Sequence, residues 1–355
     1  MPDSAQQSGI TFTVTEGRLT GVNGEYPAIA TALEGLPADL DVAAFAAHIA
    51  AAIPFGTSIA ETLPNELALA IHRQLRSLTL PAHEGARIGL FAPDEVDHRT
   101  ASWKELDWRI ISETPQSADM NVAFDEVLMD RVAEGQRPPT LRFWGWSEPA
   151  VIIGRCQSVS NEVDLAAANE LGFRVVRRMS GGGAMFIQPH GAITYSLILP
   201  ESAVRGLTIR QSYEVCDAWV IRGLRALGID AHHVPVNDIA CAAGKIGGAA
   251  QSRRRGVVLH HTTLAYDLDQ IEMAKVLRIG REKVTEKAVS SAAKRVAPLR
   301  LQTTLTRDAI VEHLIKEFRA RNGGSYDSFS SADLRDTETL AQIKYGSAAW
   351  TNEFE

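Results

Sequence analysis

Ten residues, "RRMSGGGAMF" (Arg177 to Phe186), follow directly on the apolar run "FRVV" and set the tightest limit on how this chain can fold. A strand-forming run that meets three consecutive glycines must leave its sheet at a corner without side chains, where the backbone is free to take positive φ. Such a corner bares successive main-chain N–H groups, and these form an anion-binding concavity. Arg177 and Arg178 add positive charge beside it. Three glycines by themselves also suit a flexible surface turn flanked by solvated arginines. The order Arg-Arg-x-Ser-Gly-Gly-Gly-Ala is more specific than that. It is neither a phosphate loop, which needs Lys-Ser/Thr after its glycines, nor the dinucleotide fingerprint.

A second stretch repeats the theme. In "NDIACAAGKIGGAAQ" Lys245 opens a strand and is followed by Gly247, Gly248 and small residues, so its ammonium emerges where backbone is again exposed. A lysine in that setting pairs with a phosphate as a point charge. Asn237 and Asp238 supply oxygens suited to Mg²⁺, a hard cation that bridges phosphate and carboxylate. A lone lysine is more often solvated surface; the small-residue context is what singles this one out.

The bulk properties exclude several classes. With 355 residues, 45% hydrophobic and 22% charged, the chain reads as a globular protein of one large and one small domain. No apolar run reaches the roughly 20 residues of a membrane span, and "MPDSAQQSG" lacks the regions of a signal peptide, so a cytoplasmic protein is expected. Three widely spaced cysteines make neither a disulfide framework nor a zinc site. A net charge of -7 argues against nucleic acid as a partner.

The alternation in "ITFTVTEGRLTGVNGEY" predicts a hairpin around Glu16-Gly17, and two amphipathic helices follow, with Asp41 and Pro64 near their starts. Residues 1–90 are therefore expected as a small α+β unit. "PAHEGARIGLFAPDEVDHRTASWK" has no sustained period and reads as linker, placed at 91–105, ahead of a larger unit over 106–355. In that unit a helix is expected near Asp119–Glu134 and another over Ser212–Leu227. Strands are expected at "PTLRFWGW", "AVIIGR", "FRVVRRM" and "AITYSLIL", and at two runs joined by the Arg-Arg-Gly turn in "KIGGAAQSRRRGVVLHHTTLAYDL". Strands without regular βαβ alternation predict an α+β fold with a mixed or mostly antiparallel sheet.

The two glycine stretches, with "VLHHTTLAYDLD", resemble the lipoate–protein ligase family, whose catalytic fold is shared with octanoyltransferases and biotin–protein ligases. "SADMNVAFDEVLM", "LRFWGWSEPAVIIGRCQ", "KVTEKAVSSAAKRVAPL" and "IKYGSAAWTNEF" support the likeness in the family's order, across about 106–355. Residues 10 to about 80 resemble, more weakly, the family's accessory domain, which usually sits at the C-terminus or on a separate chain. The resemblance implies ATP, Mg²⁺ and lipoate as reactants, lipoyl-adenylate as the intermediate, and a lysine of a lipoyl-domain protein as acceptor. Such acceptors are the acyltransferase subunits of 2-oxoacid dehydrogenases, the glycine-cleavage H protein, or a lipoate-binding protein.

Carried onto this chain, it gives Lys245 the catalytic role of bridging the lipoyl carbonyl and the α-phosphate. The nucleotide would be held by Arg178, Ser180, Gly181, Gly182, Gly183, Ala184, Met185 and Phe186, with Asn237, Asp238, Gly248 and Ala249, and Asp238 would carry the metal. The acyl tunnel would take in Ile152, Gly183 and His260, with Met185 and Phe186 beside it. His260 and His261 are read as orienting groups within the sheet. Two other functions stay in view. An octanoyltransferase would hold its acyl group as a cysteine thioester without ATP, and its transferase branch carries that cysteine before the lysine strand, where "LGIDAHHVPV" has none. A degenerate acyl-carrier-docking protein would keep the fold and lack the chemistry, which the joint retention of Arg178, the glycines and Lys245 opposes. Biotin ligase fits less well, because its glycine-rich signature differs.

Overall fold

A computed structural model describes residues 10–15, 18–24, 26–36, 45, 48–49, 51–52, 67–68, 71, 90–112, 114–278 and 296–355. The chain divides into two compact units, residues 1–86 with 301–303, and residues 87–300 with 304–355. In the smaller, β1 (Ile10–Thr15) and β2 (Arg18–Gly24) pair antiparallel, as the alternation predicts. Pro27 opens the Pro27–Leu33 helix, where its missing N–H costs nothing. Phe12, Leu19, Ile29 and Leu33 bury together with Phe45, Ile49, Leu67 and Ile71, whose fourfold spacing is helical. Asp41 and Pro64, the expected helix starts, lie outside the described residues.

The larger unit carries an eight-stranded sheet. Its members are β3 (Arg109–Ser112), β4 (Thr140–Trp144), β8 (Ala192–Pro200), β9 (His232–Val234), β10 (Asp238–Cys241), β11 (Gly244–Arg254), β12 (Val257–Ala265) and β13 (Ser325–Tyr326), in the order β13-β3-β4-β8-β12-β11-β10-β9. Pairings from β4 to β9 are antiparallel, and β13, β3 and β4 run parallel. A second, three-stranded sheet is ordered β6-β5-β7, with β5 (Ala150–Ile153) central, β6 (Arg174–Arg177) parallel to it and β7 (Met185–Ile187) antiparallel. The expected mixed-sheet α+β class is what the chain adopts.

Strand parity gives the large sheet two different faces. On one, Tyr195, Leu197, Val258, Leu264, Ile239 and Ile246 pack against the Ile209–Ala226 helix. Thr208 and Gln211 form a capping box at that helix, which is why it begins three residues before the expected Ser212. On the other face, Ile198, Val257 and Leu259 meet Leu128 and Met129 of the Ala118–Ala133 helix. Thr263 on the same face donates to Met185 Sδ of the small sheet at 3.3 Å.

One expectation fails plainly. Residues 91–105 are not a linker: they form a helix (Pro93–Arg99) and a 3₁₀ turn (Ala101–Glu105). Phe91, Val96 and Trp103 are buried in the core of the larger unit, and Glu214 of the long helix accepts from the N–H groups of Leu90 and Phe91. Apolar residues spaced too irregularly for a long helix still fill a core when two short helical turns carry them. No helix among the described residues is long and apolar enough to cross a membrane.

Candidate active site

The glycine corner is built by carbonyls. Arg178 follows β6 and is 2% exposed. Its Nη1 donates to Ile152 O (2.9 Å), its Nη2 to Gly181 O (2.5 Å) and Gly183 O (2.9 Å), and its Nε to Ser180 Oγ (3.0 Å). The Ser180 carbonyl accepts from Arg155 N at 2.8 Å. The Gly182 carbonyl rests on Gly154, where an added Cβ would lie 2.0 Å from it. The carbonyls of residues 180–183 thus all face the protein. Among the described residues no acceptor faces the N–H groups of Gly181, Gly182 or Gly183, and all three glycines are exposed. Gly182 sits at φ +90°, where a Cβ would also come 3.0 Å from Arg178 Nη2.

Charge completes the corner. Burial brings the Arg178 pKa down to about 10, so the guanidinium stays cationic at neutral pH. Among the described residues no carboxylate pairs with it. A buried cation without a counter-ion is costly, and an anion on the N–H face of the loop would offset it. The expectation that Arg178 grips a nucleotide directly meets a buried side chain that gives three bonds to the loop and one to Ile152 O. Arg177 is fully buried and reaches the carbonyls of Gly154, Arg155 and Gln157, and of Trp350 and Thr351. It fastens residues 350–351 to the loop after β5 and adds no cation beside the anion site.

The lysine strand lies on the face of the large sheet that meets the small sheet. Lys245 Nζ is 2.8 Å from Asp238 Oδ1. Gly248 makes this possible: a Cβ there would stand 3.0 Å from Lys245 Nζ and 3.2 Å from its Cε. Ala297 N donates to Lys245 O at 2.8 Å, so the chain returns beside the lysine as the last residues of "KVTEKAVSSAAKRVAPL"; residues 283–295 of that motif lie outside the described ones. Asn237 Nδ2 donates to Ala249 O (2.6 Å) and Ala249 N to Asn237 O (2.8 Å), which ties β10 to β11 and commits both predicted binding residues to each other. Among the described residues no three acidic, His or Cys side chains frame a metal. Asp238, a single carboxylate facing an ammonium, suits Mg²⁺ that arrives on phosphates.

Parity corrects the acyl-tunnel expectations. His260 points to the helix face. Its Nε2–H donates to Asp217 Oδ1 (2.7 Å), and its Nδ1 accepts from Gln251 Nε2 (3.0 Å). Burial pushes the Asp217 carboxyl up, but attraction to His260 and hydrogen bonds from His260, Tyr195 and Thr262 outweigh it and hold the group below the usual carboxylate range. His261, its neighbour, points to the site face and meets Ser180. Phe186 is likewise on the wrong side: it stacks on Phe173 (ring centroids 4.7 Å apart) with Val151 and Ile153. Ile152 and Met185 pack on the opposite surface of the small sheet, with Trp144 and Trp146. Of the predicted acyl residues, Ile152 and Met185 thus share one surface with Trp146 and Thr263, and His260 and Phe186 face away from it. Asp125, Thr263 and Ala250 lie inside the stretches that carry the family likeness and Asp217 outside them, but nothing local in the sequence gives any of the four a role.

The two stretches converge. A Cβ on Gly182 would lie 3.8 Å from Ala250 Cβ, and Ala250 and Gly248 share one face of β11. Two residues along a strand span about 7 Å, so the glycine corner and the lysine border neighbouring positions on one face of β11. The thiols lie elsewhere. Cys216 and Cys241 are buried in the core of the helix face, where burial pushes the Cys216 thiol far up, and Cys156 is exposed.

Residues 117–319 match the family model described as "Lipoyl protein ligase A/B catalytic domain". The octanoyltransferase LipM of Geobacillus kaustophilus is 30% identical over 271 residues, covering 68% of this chain and 97% of that protein. The bi-partite lipoate protein ligase of Thermoplasma acidophilum, studied with its E2 lipoyl domain, superposes with a TM-score of 0.60 at 26% identity, over 70% of this chain and 98% of that one. A lipoate-protein ligase A bound with ATP gives the same TM-score and identity, over 70% of this chain and all of that one.

Proposed function

The chain belongs to the lipoyl protein ligase A/B catalytic-domain family, and from that premise we propose that it is an ATP-dependent lipoate–protein ligase. The observation that carries this reading is the buried Arg178 charge, without a carboxylate partner among the described residues, beneath a loop whose N–H groups face outward. Activating a carboxylate with ATP sets two anions against each other, so preorganised positive charge is what catalysis needs most. The loop N–H groups would hold phosphate oxygens. Lys245, oriented by Asp238, would neutralise charge between the acyl oxygen and the α-phosphate. The lipoate carboxylate attacks the α-phosphorus and pyrophosphate leaves; the acceptor lysine then attacks the acyl carbon and AMP leaves. Mg²⁺ arriving with ATP would meet Asp238 and screen the phosphates. Ile152, Met185 and Trp146 would line the acyl chain's side of the site.

The acceptor in this reading is a lipoyl-domain protein, by likeness to the bi-partite ligase and its E2 lipoyl domain. We assign the smaller unit an accessory role in the transfer step. A chain beginning at Arg87 should then form adenylate and move the acyl group to a lipoyl domain poorly; full-rate transfer from synthetic lipoyl-adenylate would remove that role.

A second reading is favoured by the name of the sequence relatives, octanoyltransferase LipM. It needs a thiol to carry the acyl group, and Cys216 and Cys241 face the core on the far side of the sheet from Lys245. Cys156, exposed in the loop after β5, is the thiol left to that chemistry. Intact-mass analysis of an apo lipoyl domain decides between them. Lipoate with ATP should add the lipoyl mass, and octanoyl carrier protein without ATP should add nothing. The opposite pattern, lost in Cys156→Ser, would establish the transferase.

A further inference from the structure

Beneath the glycine corner lies a chain of buried polar groups that adenylation chemistry leaves without a task. Asp125, from the Ala118–Ala133 helix, accepts at Oδ2 from His261 Nδ1 at 2.9 Å. Its Oδ1 accepts from Ser196 Oγ (2.8 Å) and lies 3.3 Å from Arg142 Nη1. A carboxylate only accepts, so His261 carries its proton on Nδ1 and must accept at Nε2. The 2.6 Å contact there is therefore donated by the Ser180 hydroxyl. Ser180 Oγ in turn accepts from Arg178 Nε at 3.0 Å. Every bond in the series has one direction.

The order Asp–His–Ser is that of a hydrolase triad, but the surroundings rule out a nucleophile. Ser180 is 1% exposed, and its hydroxyl oxygen already accepts from a guanidinium. What the series does reach is Arg178, whose planar guanidinium moves as one body. Holding its Nε edge fixes the plane from which Nη2 grips the carbonyls of Gly181 and Gly183.

We propose that Asp125, His261 and Ser180 are positioning residues for the anion site. Their directional relay locks Arg178 and so keeps the loop carbonyls inward and its N–H groups outward. This rests on the anion-binding role given to the loop above. The charged groups facing His261 are Asp125 from the helix and Arg178 from the end of β6; His260, its neighbour on β12, acts on it from the opposite face of the sheet. Burial lowers the His261 pKa, against the pull of Asp125 and with the push of Arg178, which keeps the ring neutral as the relay requires.

A double-mutant cycle read by calorimetry tests the proposal, with ATP and inorganic pyrophosphate as separate probes. Ser180→Ala and His261→Ala should each weaken ATP about ten-fold, the effect of one lost hydrogen bond to a charged group. The double variant should lose no more than either single one, because the relay acts as a unit. Lipoate affinity should stay within two-fold, and Ser180→Thr, which keeps the hydroxyl, should restore ATP binding. Additive losses, or equal losses for lipoate, would overturn the relay. If His261→Ala does not fold, His261→Gln retains an acceptor toward Ser180 and should lose less than Ser180→Ala. Nitrogen NMR of the ligand-free protein should show His261 as the neutral Nδ1–H tautomer; the Nε2–H tautomer would overturn the relay whatever binds. Wild-type protein that binds pyrophosphate with the same cycle but not ATP would sink the ligase reading and keep the relay. Binding of neither probe would sink both.

Discussion

His260 and His261 are adjacent on β12, both buried, and each bonded to a buried aspartate, yet they stand in different environments. His260 faces the long helix, where Asp217 Oδ1 collects donors from Tyr195, His260 and Thr262 within the core. His261 faces the small sheet, where its chain of bonds ends at Arg178 beneath an exposed loop. The same split runs along β11: Ala249 and Gln251 go with the helix face, Gly248 and Ala250 with the site. A period of two in the backbone thus gives one hairpin a surface packed on the long helix and a surface turned to the glycine corner.

The sharpest way to break that comparison is at Lys245. Lys245→Ala should leave a folded protein whose ATP–pyrophosphate exchange is down on the order of 100- to 1000-fold, the usual cost of losing one preorganised charge donor. Near-normal exchange would remove the lysine from the chemistry. Gly182→Val comes next. Its φ of +90° and the 3.0 Å approach to Arg178 Nη2 leave no room for a β-branched side chain, so nucleotide affinity should fall by more than about ten-fold, with about 1–3 kcal/mol of strain lost from urea stability. Unchanged affinity by calorimetry would reduce the corner to a mere turn.

On the helix face the effects should be in stability alone. His260→Ala strips a donor from buried Asp217 and should cost about 1–3 kcal/mol of unfolding free energy in urea, with exchange activity retained. A selective loss of activity would erase the distinction between the faces. The smallest effect is a pH dependence. Because the Asp217 pKa is lowered in the fold, its contribution is present above the unfolded value of about 3.9 and lost as pH falls through the folded one. Asp217→Asn should therefore be less stable than wild type at neutral pH, with the gap closing in acid. A gap that widens on acidification would reverse the assignment.

Much of this was legible in sequence because it is local. The glycine corner, the lysine-opened strand and the alternating runs each predict their own backbone. Which face a side chain takes was not legible where it depends on register: "LHHT" gives no sign of which histidine meets Ser180 until β12 is paired with β8 and β11. Nor could the two arginines be read as structural. Arg177 gives its Nε and Nη2 donors to carbonyls of residues 350 and 351, more than 170 positions away, and Asp125 reaches His261 across 136. The segment at 91–105 was misread because short helical turns lack the length over which a period shows.

Lipoate-dependent ATP–pyrophosphate exchange by the unaltered protein tests the central claim most directly. A buried guanidinium beneath a bare N–H loop, bordering the same strand face as a lysine ammonium, would suit the activation of an acid by a nucleotide. The account predicts exchange that appears with lipoate and vanishes without it. No exchange, together with octanoyl transfer from carrier protein in the absence of ATP, would contradict it.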